Sequence, residues 1–306
     1  MKQGQSSKLA RITQNKWWKL LRPHTLASSY VPVFVGSAAA LHYSTFKVLP
    51  FLAMLFAAFL IQTGTNLFNE YYDYKRGHDD ENKVGHGGAI TKEKMSASLI
   101  RNLAILSFLI ALLLGVYLCI TVSWYLAAIG VISMIVGFLY TGGPLPIAHT
   151  PFGELIAGFF MGGIITYLSF FIQTGYLNKT IIFLSFPLIV MIGNMLLANS
   201  LRDIEEDTRN GRLTLAILLG RRWATVFYAA MWLFAFGWTW SLVFTMNLTP
   251  FLFITLIAVP PTLMSIYIFW KQNEVMKMIP GMATCSKAIK YYGLLTALAL
   301  IIGLAF

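Results

Sequence analysis

The chain has 306 residues, of which 57% are hydrophobic and only 11% are charged, and its mean hydropathy is +0.68. A soluble domain of this length could not keep so much apolar surface from water, whereas a protein with many membrane spans needs about this much. The net charge of +11 is therefore interpreted as a signal of topology and lipid contact, and we expect no nucleic-acid partner.

A basic amphipathic segment, residues 1–24, precedes the apolar part of the chain. Trp17 and Trp18 suit it to the headgroup level of a membrane, and we do not expect it to be a cleaved signal. Arg22, directly before Pro23, is the one residue of this segment that we consider for a functional role.

Nine apolar segments follow, and each is interpreted as a membrane-spanning helix, which takes roughly 20 apolar residues. They are continuously apolar, without the alternation of barrel strands, so we predict an all-α polytopic membrane protein with a single domain, 1–306. The predicted spans are 25–42, 50–73, 98–120, 123–140, 154–173, 181–201, 223–246, 250–270 and 288–306.

Lysine and arginine are distributed unevenly between the two predicted sides of the membrane. The N-terminal segment and the loops after the second, sixth and eighth spans carry 21 of the 23 basic residues, and only Lys47 and Lys179 fall on the other side. Because cytoplasmic loops are enriched in Lys and Arg, we predict a cytoplasmic N-terminus and an external C-terminus.

Cysteine and histidine give no signal of a disulfide or a metal site. Cys119 is expected near the outer end of the third span and Cys285 in an inner loop, so we expect no disulfide between them. The five histidines are scattered along the chain, and we expect no cluster of them.

The acidic residues concentrate in two loops on the predicted inner face. Of twelve in the chain, five lie in 66–81 and four in 199–212. We define the first Asp-rich loop as 66–94 and the second as 199–222. Both contain an Asn-x3-Asp pattern, and the two copies are 130 residues apart, which predicts two helical halves that face each other.

Helical spacing extends both acidic clusters into the membrane as polar stripes. A polar stripe is costly in lipid, so each stripe should face a cavity or another helix. The first stripe consists of Gln62, Asn66, Asn69 and Asp73, and the second of Asn199, Asp203 and Asp207. Asp79 can join Asp73 only if the helix ends, and Gly77 is placed to end it as a C′ glycine.

These stripes offer oxygen ligands only, which favours a hard cation such as Mg²⁺ that bridges carboxylates and substrate phosphates. The cation would also relieve repulsion among acids at the negative ends of two helix dipoles. Solvated loop charges with local salt bridges are the alternative interpretation. Basic residues stand among the acids, where they could bind phosphate: Lys75, Arg76, Arg202, Arg209 and Arg212.

Several stretches of the chain together resemble the UbiA superfamily of intramembrane prenyltransferases. They are LLRPHTLASSYVPVFVG (20–36), TNLFNEYYDYKRGHDDE (65–81), GHGGAI (85–90), FLYTGGPLPIAHTPFGEL (138–155) and NSLRDIEEDTRNGRLTLAILLG (199–220). The six-residue step from Asp73 to Asp79 is typical of the menaquinone-pathway branch. Ser200 departs from the pattern, since relatives often have a second Asn there.

The resemblance implies nine helices around a central cavity that opens to the cytoplasmic side of a bacterial plasma membrane. It implies a catalytic and Mg²⁺-binding set, with Mn²⁺ as the alternative ion: Asn69, Asp73, Asp79, Asn199, Asp203 and Asp207. The residues assigned to the diphosphate are Lys75, Arg76, Arg202 and Arg212. The acceptor candidates, chosen by position at inner helix ends, are Arg22, Tyr72 and Tyr140.

The implied reaction transfers a polyprenyl group from its diphosphate to 1,4-dihydroxy-2-naphthoate, releasing CO₂ and diphosphate and giving demethylmenaquinol. Other superfamily acceptors, namely 4-hydroxybenzoate, homogentisate and haem, are the alternatives within enzymes. A membrane transporter is the alternative from another class. Transporters usually bind substrate near mid-membrane, whereas these acids are confined to one face.

Overall fold

The computed structural model of the protein describes residues 16–78 and 87–305, and every secondary-structure element in these ranges is a helix. Asp79 and residues 1–15 of the N-terminal segment lie outside these ranges. The helices are α1 (Lys16–Leu21), α2 (Ala27–Ala40), α3 (Val48–Lys75), α4 (Ala97–Thr121), α5 (Tyr125–Leu139), α6 (Gly153–Thr174), α7 (Lys179–Arg209), α8 (Leu215–Thr245), α9 (Pro250–Lys271) and α10 (Val275–Ile302).

Seven of these helices are long and apolar enough to cross a membrane, namely α3, α4 and α6 to α10. The other two apolar helices, α2 and α5, are shorter, with 14 and 15 residues. The prediction of an all-α chain with many apolar spans is therefore confirmed for the described residues.

The last helix is longer than its apolar pattern predicted. It begins at Val275 instead of residue 288, so Cys285 lies inside α10 and is fully buried, and the prediction of an inner loop there was wrong. Lys277 and Lys287 occupy exposed positions of this helix, and Lys287 lies over the ring of Tyr291 at 5.4 Å. Because the charged ends of these lysines face outward, the N-terminal part of α10 can be helical even though its sequence contains charged residues.

Helix packing divides the bundle into a filled half and a half that encloses a cavity. The largest buried cluster joins α2, α7, α8 and α10 and includes Tyr228, Trp232 and Tyr292. In the other half, α3 packs along α4, and α5 contacts both of them. No residue of α8, α9 or α10 lines the cavity. Its walls come mainly from α3 to α7, with Ser28 of α2 and the segment just before that helix.

A glycine in α6 lets that helix lie directly against α7. The stretch Gly158–Ile164 of α6 is π-helical. A Cβ atom added to Gly162 would lie 2.6 Å from the backbone of Leu188, a distance that side chains do not tolerate. The backbones of the two helices are therefore in contact just beyond the residues that form the site.

Candidate active site

A cavity of about 380 Å³ lies between α3, α4, α5, α6 and α7. Its walls are polar where α3 and α7 end and apolar along α4 and α5. The predicted metal-binding residues that line its polar end are Asn69, Asp73, Asn199, Asp203 and Asp207. The sixth, Asp79, lies outside the described residues and stays a prediction.

Both acid-bearing helices end on a glycine in the left-handed conformation, which a side chain would strain. Gly77 follows α3 with a φ of 73°, and Gly211 follows α7 with a φ of 69°. In both cases the residue after the glycine donates its amide to an aspartate carbonyl, that of Asp73 or of Asp207, at 2.9 Å. These are Schellman ends, and the first is at the glycine where the helix was predicted to end.

The two helix ends are spaced slightly differently from the Asn-x3-Asp patterns. The glycines that end the helices, Gly77 and Gly211, are 134 residues apart, whereas the two patterns are 130 residues apart. Asp203 therefore lies one helical turn farther from the end of its helix than Asp73 does.

Arg212, in the loop after α7, connects the acids of the two helices. Its Nη2 donates to Oδ1 of Asp73 at 2.8 Å, and its Nη1 donates to Oδ1 of Asp207 at 3.1 Å. The exposed fractions of the three side chains are 15%, 7% and 8%, so both ion pairs are largely shielded from water. The prediction that the two acidic loops face each other is thereby confirmed.

Asp203 is paired with a different arginine. Nε and Nη2 of Arg202 donate to its two carboxylate oxygens at 2.6 and 2.5 Å, a two-pronged contact. Arg202 is buried, and its remaining terminal nitrogen points at the sulfur of Met282. Each described aspartate of the predicted metal-binding set thus has an arginine partner in this structure.

The first polar stripe divides along its length. At its deep end the side-chain amides of Gln62 and Asn66 donate to the hydroxyl of Thr25, at 3.3 and 3.2 Å. One turn closer to the mouth, Nη2 of Arg22 donates to Oδ1 of Asn69 at 3.2 Å. The deep end is therefore held by a neutral hydroxyl group, and the end near the acids by charged arginine side chains.

Three predicted residues do not line the cavity. Lys75 is exposed, and Tyr72 packs against Phe138. Lys75 lies two positions after Asp73, which turns it about 200° away from the stripe. Tyr72 lies one position before Asp73, which turns it about 100° away. Arg76 donates to the carbonyls of Thr141 and Gly143, both at 2.9 Å, and so fastens the loop after α5 to α3.

The expectation of no histidine cluster was wrong. His78 and His149 bring ring nitrogens to within 4.8 Å of each other and of a carboxylate oxygen of Asp73. Burial, and next the charge of Arg212, lower the pKa of His149 to about 4. The two histidines are far apart in the chain, so the sequence carried no signal for this contact.

Glu154, in the first turn of α6, also lines the cavity, although it lies outside both acidic loops. The hydroxyl of Ser200 donates to its Oε1 at 2.8 Å. The sequence did carry a signal for Glu154 as a site residue, which the prediction missed. It is an acid at the start of an apolar span, and it lies within one of the stretches that carry the family resemblance. Tyr140 lines the same cavity, and burial, then the negative charge of Glu154, raises the pKa of its phenol.

Exposed aliphatic side chains of α4 and α5 line the apolar part of the cavity. They are Leu112 and Val116 on α4 and Val131 on α5. An apolar chain in the cavity would therefore contact these side chains.

Comparison with known proteins identifies the family. Residues 29–280 match the UbiA prenyltransferase family. A 1,4-dihydroxy-2-naphthoate octaprenyltransferase from Bacillus subtilis (strain 168) is 46% identical over 285 residues, which cover 93% of this chain and 92% of the relative.

Solved structures share the fold at low sequence identity. The apo structure of a UbiA homolog from Aeropyrum pernix K1 has a TM-score of 0.71 and 14% identity, over 92% of this chain and 98% of that chain. A UbiA homolog from Archaeoglobus fulgidus bound to GPP and Mg²⁺ has a TM-score of 0.64 and 16% identity, over 94% of this chain and 100% of that chain. The resemblance read from the motifs is confirmed, and the chain belongs to the UbiA prenyltransferase family.

Proposed function

We propose that this protein transfers a polyprenyl group from polyprenyl diphosphate to 1,4-dihydroxy-2-naphthoate, with release of diphosphate and CO₂, to give demethylmenaquinol. The observation that carries the proposal is the meeting of Asp73 and Asp207 at the polar end of a cavity whose depth is apolar. A polyprenyl diphosphate has the same division into a charged head and a long apolar tail. The name of the Bacillus subtilis relative supports the choice of acceptor.

The donor atoms at the polar end fit a hard divalent cation. Carboxylate and amide oxygens are the ligands that Mg²⁺ prefers, and Mn²⁺ is the alternative ion. The residues that would hold it are Asn69, Asp73, Asn199, Asp203 and Asp207. When bound, the metal stabilises negative charge on the departing diphosphate as a Lewis acid. The Archaeoglobus fulgidus homolog, solved with GPP and Mg²⁺, supports this assignment.

Arg202 and Arg212 bind the acids in this structure, and we assign them a second set of partners. With a cation bound at the carboxylates, the guanidinium groups of Arg202 and Arg212 would be free to donate to diphosphate oxygens. Arg22 lines the same cavity, where its Nη2 donates to Oδ1 of Asn69 at 3.2 Å, and we assign it to the carboxylate of the acceptor.

The apolar depth has two roles in the proposal. It keeps water away from the allylic cation that forms as the carbon–oxygen bond of the donor breaks, so that the electron-rich ring is the nucleophile. It also receives the tail of the donor, and we propose that the tail leaves for lipid beside Leu112 and Val131, which line the cavity and are exposed.

We propose that α2 and α5 also cross the membrane, which gives nine spans in one domain. With 14 residues, α2 is about 21 Å long, less than the roughly 30 Å of the hydrocarbon core. Nearly all of its residues are buried, so its ends can stop against protein instead of reaching water. The distribution of Lys and Arg supports a cytoplasmic N-terminus, an external C-terminus and a site on the cytoplasmic side of a bacterial plasma membrane.

The test is a transfer assay on membranes that contain the protein, with radiolabelled polyprenyl diphosphate, Mg²⁺ and one acceptor at a time. We expect a labelled product from 1,4-dihydroxy-2-naphthoate, with the mass of the decarboxylated prenylated quinol and one CO₂ released per transfer. Membranes containing Asp73→Ala are the control. Transfer to 4-hydroxybenzoate or homogentisate, with none to the naphthoate, would reject the proposed acceptor.

A further inference from the structure

Glu154 differs from the three aspartates that line the cavity in having no cationic partner among the described residues. Asp73, Asp203 and Asp207 each form a salt bridge with an arginine, whereas no salt bridge reaches Glu154 in the described parts of the chain. Its side chain is nevertheless buried, with only 7% of the residue exposed.

The two carboxyl oxygens of Glu154 are in different situations. Oε1 accepts the hydrogen bond from Ser200, and that hydroxyl also lies 3.3 Å from the carbonyl of Leu196 on the same helix. Oε2 is buried and has no hydrogen-bond partner among the described residues. A buried polar atom without a partner is costly, and the cost persists in a structure only where something else repays it.

Chemistry restricts what the missing partner can be. The diphosphate and the carboxylate of the acceptor are anions, and a carboxylate would repel them. A hydroxyl group can donate to an ionised carboxylate or accept from a protonated one, so it suits Oε2 in either state. The phenol of Tyr140, which directly follows α5, also lines the cavity and offers a hydroxyl of this kind.

We infer that Oε2 of Glu154 binds a ring hydroxyl of the aromatic acceptor, and that Ser200 positions the carboxyl group for this contact. The inference rests on the proposed function, since it assigns a place to the acceptor within the same cavity. It places the acceptor between α6 and the acid-bearing end of α7, because Ser200 follows the predicted ligand Asn199 directly. The contact selects acceptors that carry a hydroxyl at that point of the ring.

The experiment measures the KM of donor and acceptor separately for the wild type, Glu154→Ala, Glu154→Gln and Ser200→Ala. The matched control is Glu274→Gln, an exposed acid at the start of α10 that pairs with Lys277 far along the chain from the site. Losing one hydrogen bond to a carboxyl group should raise the acceptor KM of Glu154→Ala about tenfold, with the donor KM within about twofold of wild type. Ser200→Ala should give a smaller rise in the same direction.

Competing naphthoates that lack one hydroxyl supply the specific readout. For the wild type, we expect 1-hydroxy-2-naphthoate or 4-hydroxy-2-naphthoate to inhibit about tenfold more weakly than a dihydroxy analogue. In Glu154→Ala that penalty should vanish for one of the two compounds. Retention of the full penalty for both, an unchanged acceptor KM, or an equal rise in both KM values would overturn the assignment.

The wild type is assayed with 1,4-dihydroxy-2-naphthoate in the same series. Absence of wild-type turnover would reject the proposed function itself. Normal wild-type turnover with unaltered Glu154 variants would reject only the assignment of Glu154.

Discussion

Replacing Arg212 by alanine tests whether this arginine and a divalent cation occupy the same place between the acids. In the structure its guanidinium lies 2.8 Å from Asp73 and 3.1 Å from Asp207. A cation that bridges the two carboxylates would have to displace it. The variant therefore removes the competitor of the metal and also the only arginine that joins these two described acids.

The size of the effect follows from the burial of the acids. Asp73 and Asp207 are only 7% and 8% exposed, so Arg212→Ala removes the arginine partner of two largely buried carboxylates. Removing one partner of a buried ion pair costs about 3–5 kcal/mol. For a chain of this size, about 3 kcal/mol corresponds to a fall in melting temperature of roughly 6–12 °C. Mg²⁺ should recover most of that fall, because it replaces the lost charge.

The assay is thermal unfolding of the purified protein in detergent, with EDTA or with Mg²⁺. We expect Mg²⁺ to raise the melting temperature of Arg212→Ala by several degrees more than that of the wild type, where binding must first displace the guanidinium. Arg209→Ala is the matched control, since Arg209 is exposed and its Nε donates to a backbone carbonyl of its own helix. Equal Mg²⁺ shifts in wild type and Arg212→Ala would refute the competition.

Three further outcomes can be measured directly. Asp73→Ala and Asp203→Ala should abolish prenyl transfer while the protein still inserts and elutes as a folded species in size-exclusion chromatography; wild-type rates in both would contradict the metal assignment. Because the pKa of His149 falls from 6.5 to about 4 on folding, the stability it contributes is complete above about pH 6.5 and is lost as the pH falls toward 4. In EDTA, His149→Gln should therefore make the melting temperature fall less steeply between pH 6.5 and pH 4. An equally steep fall in the variant would mean that other groups cause it. Gly162→Ala should destabilise the protein by about 1–3 kcal/mol because its methyl group meets backbone, whereas Gly237→Ala, with open space around it, should be neutral or slightly stabilising.

Helical periodicity explains which site residues were predictable. Asn69 and Asp73 lie on one face because four residues make about one turn, and an angular position within a helix needs no knowledge of its neighbours. The same reasoning placed Asp203 and Asp207 together on α7. What each side chain binds depends on the packing of separate helices. The sequence therefore could not show that Arg76 donates to carbonyls of the loop after α5, and its assignment to the diphosphate stays a prediction.

Contacts between distant segments could not be predicted from the sequence, because they too depend on how separate helices pack. His78 and His149 meet only because the end of α3 and the loop before α6 are adjacent in the bundle. In the sequence, Glu154 is far from both acidic loops. Only the cavity between α3, α6 and α7 shows that its carboxyl group belongs to the same site as their aspartates. Helix ends were harder to predict than helix faces, as the early start of α10 at Val275 illustrates, since exposed lysines do not stop a helix whose other face is buried.

The glycine contact between α6 and α7 limits how this catalyst can diverge. Because Gly162 lies against the backbone at Leu188, any larger residue at this position would force α6 and α7 apart and shift the wall that carries Glu154 and Ser200. Room for a wider substrate can be gained without disturbing that contact on α4 and α5, which present aliphatic side chains such as Leu112 and Val131 to the cavity. Libraries aimed at bulkier aromatic substrates should therefore vary α4 and α5 and leave the α6–α7 seam intact.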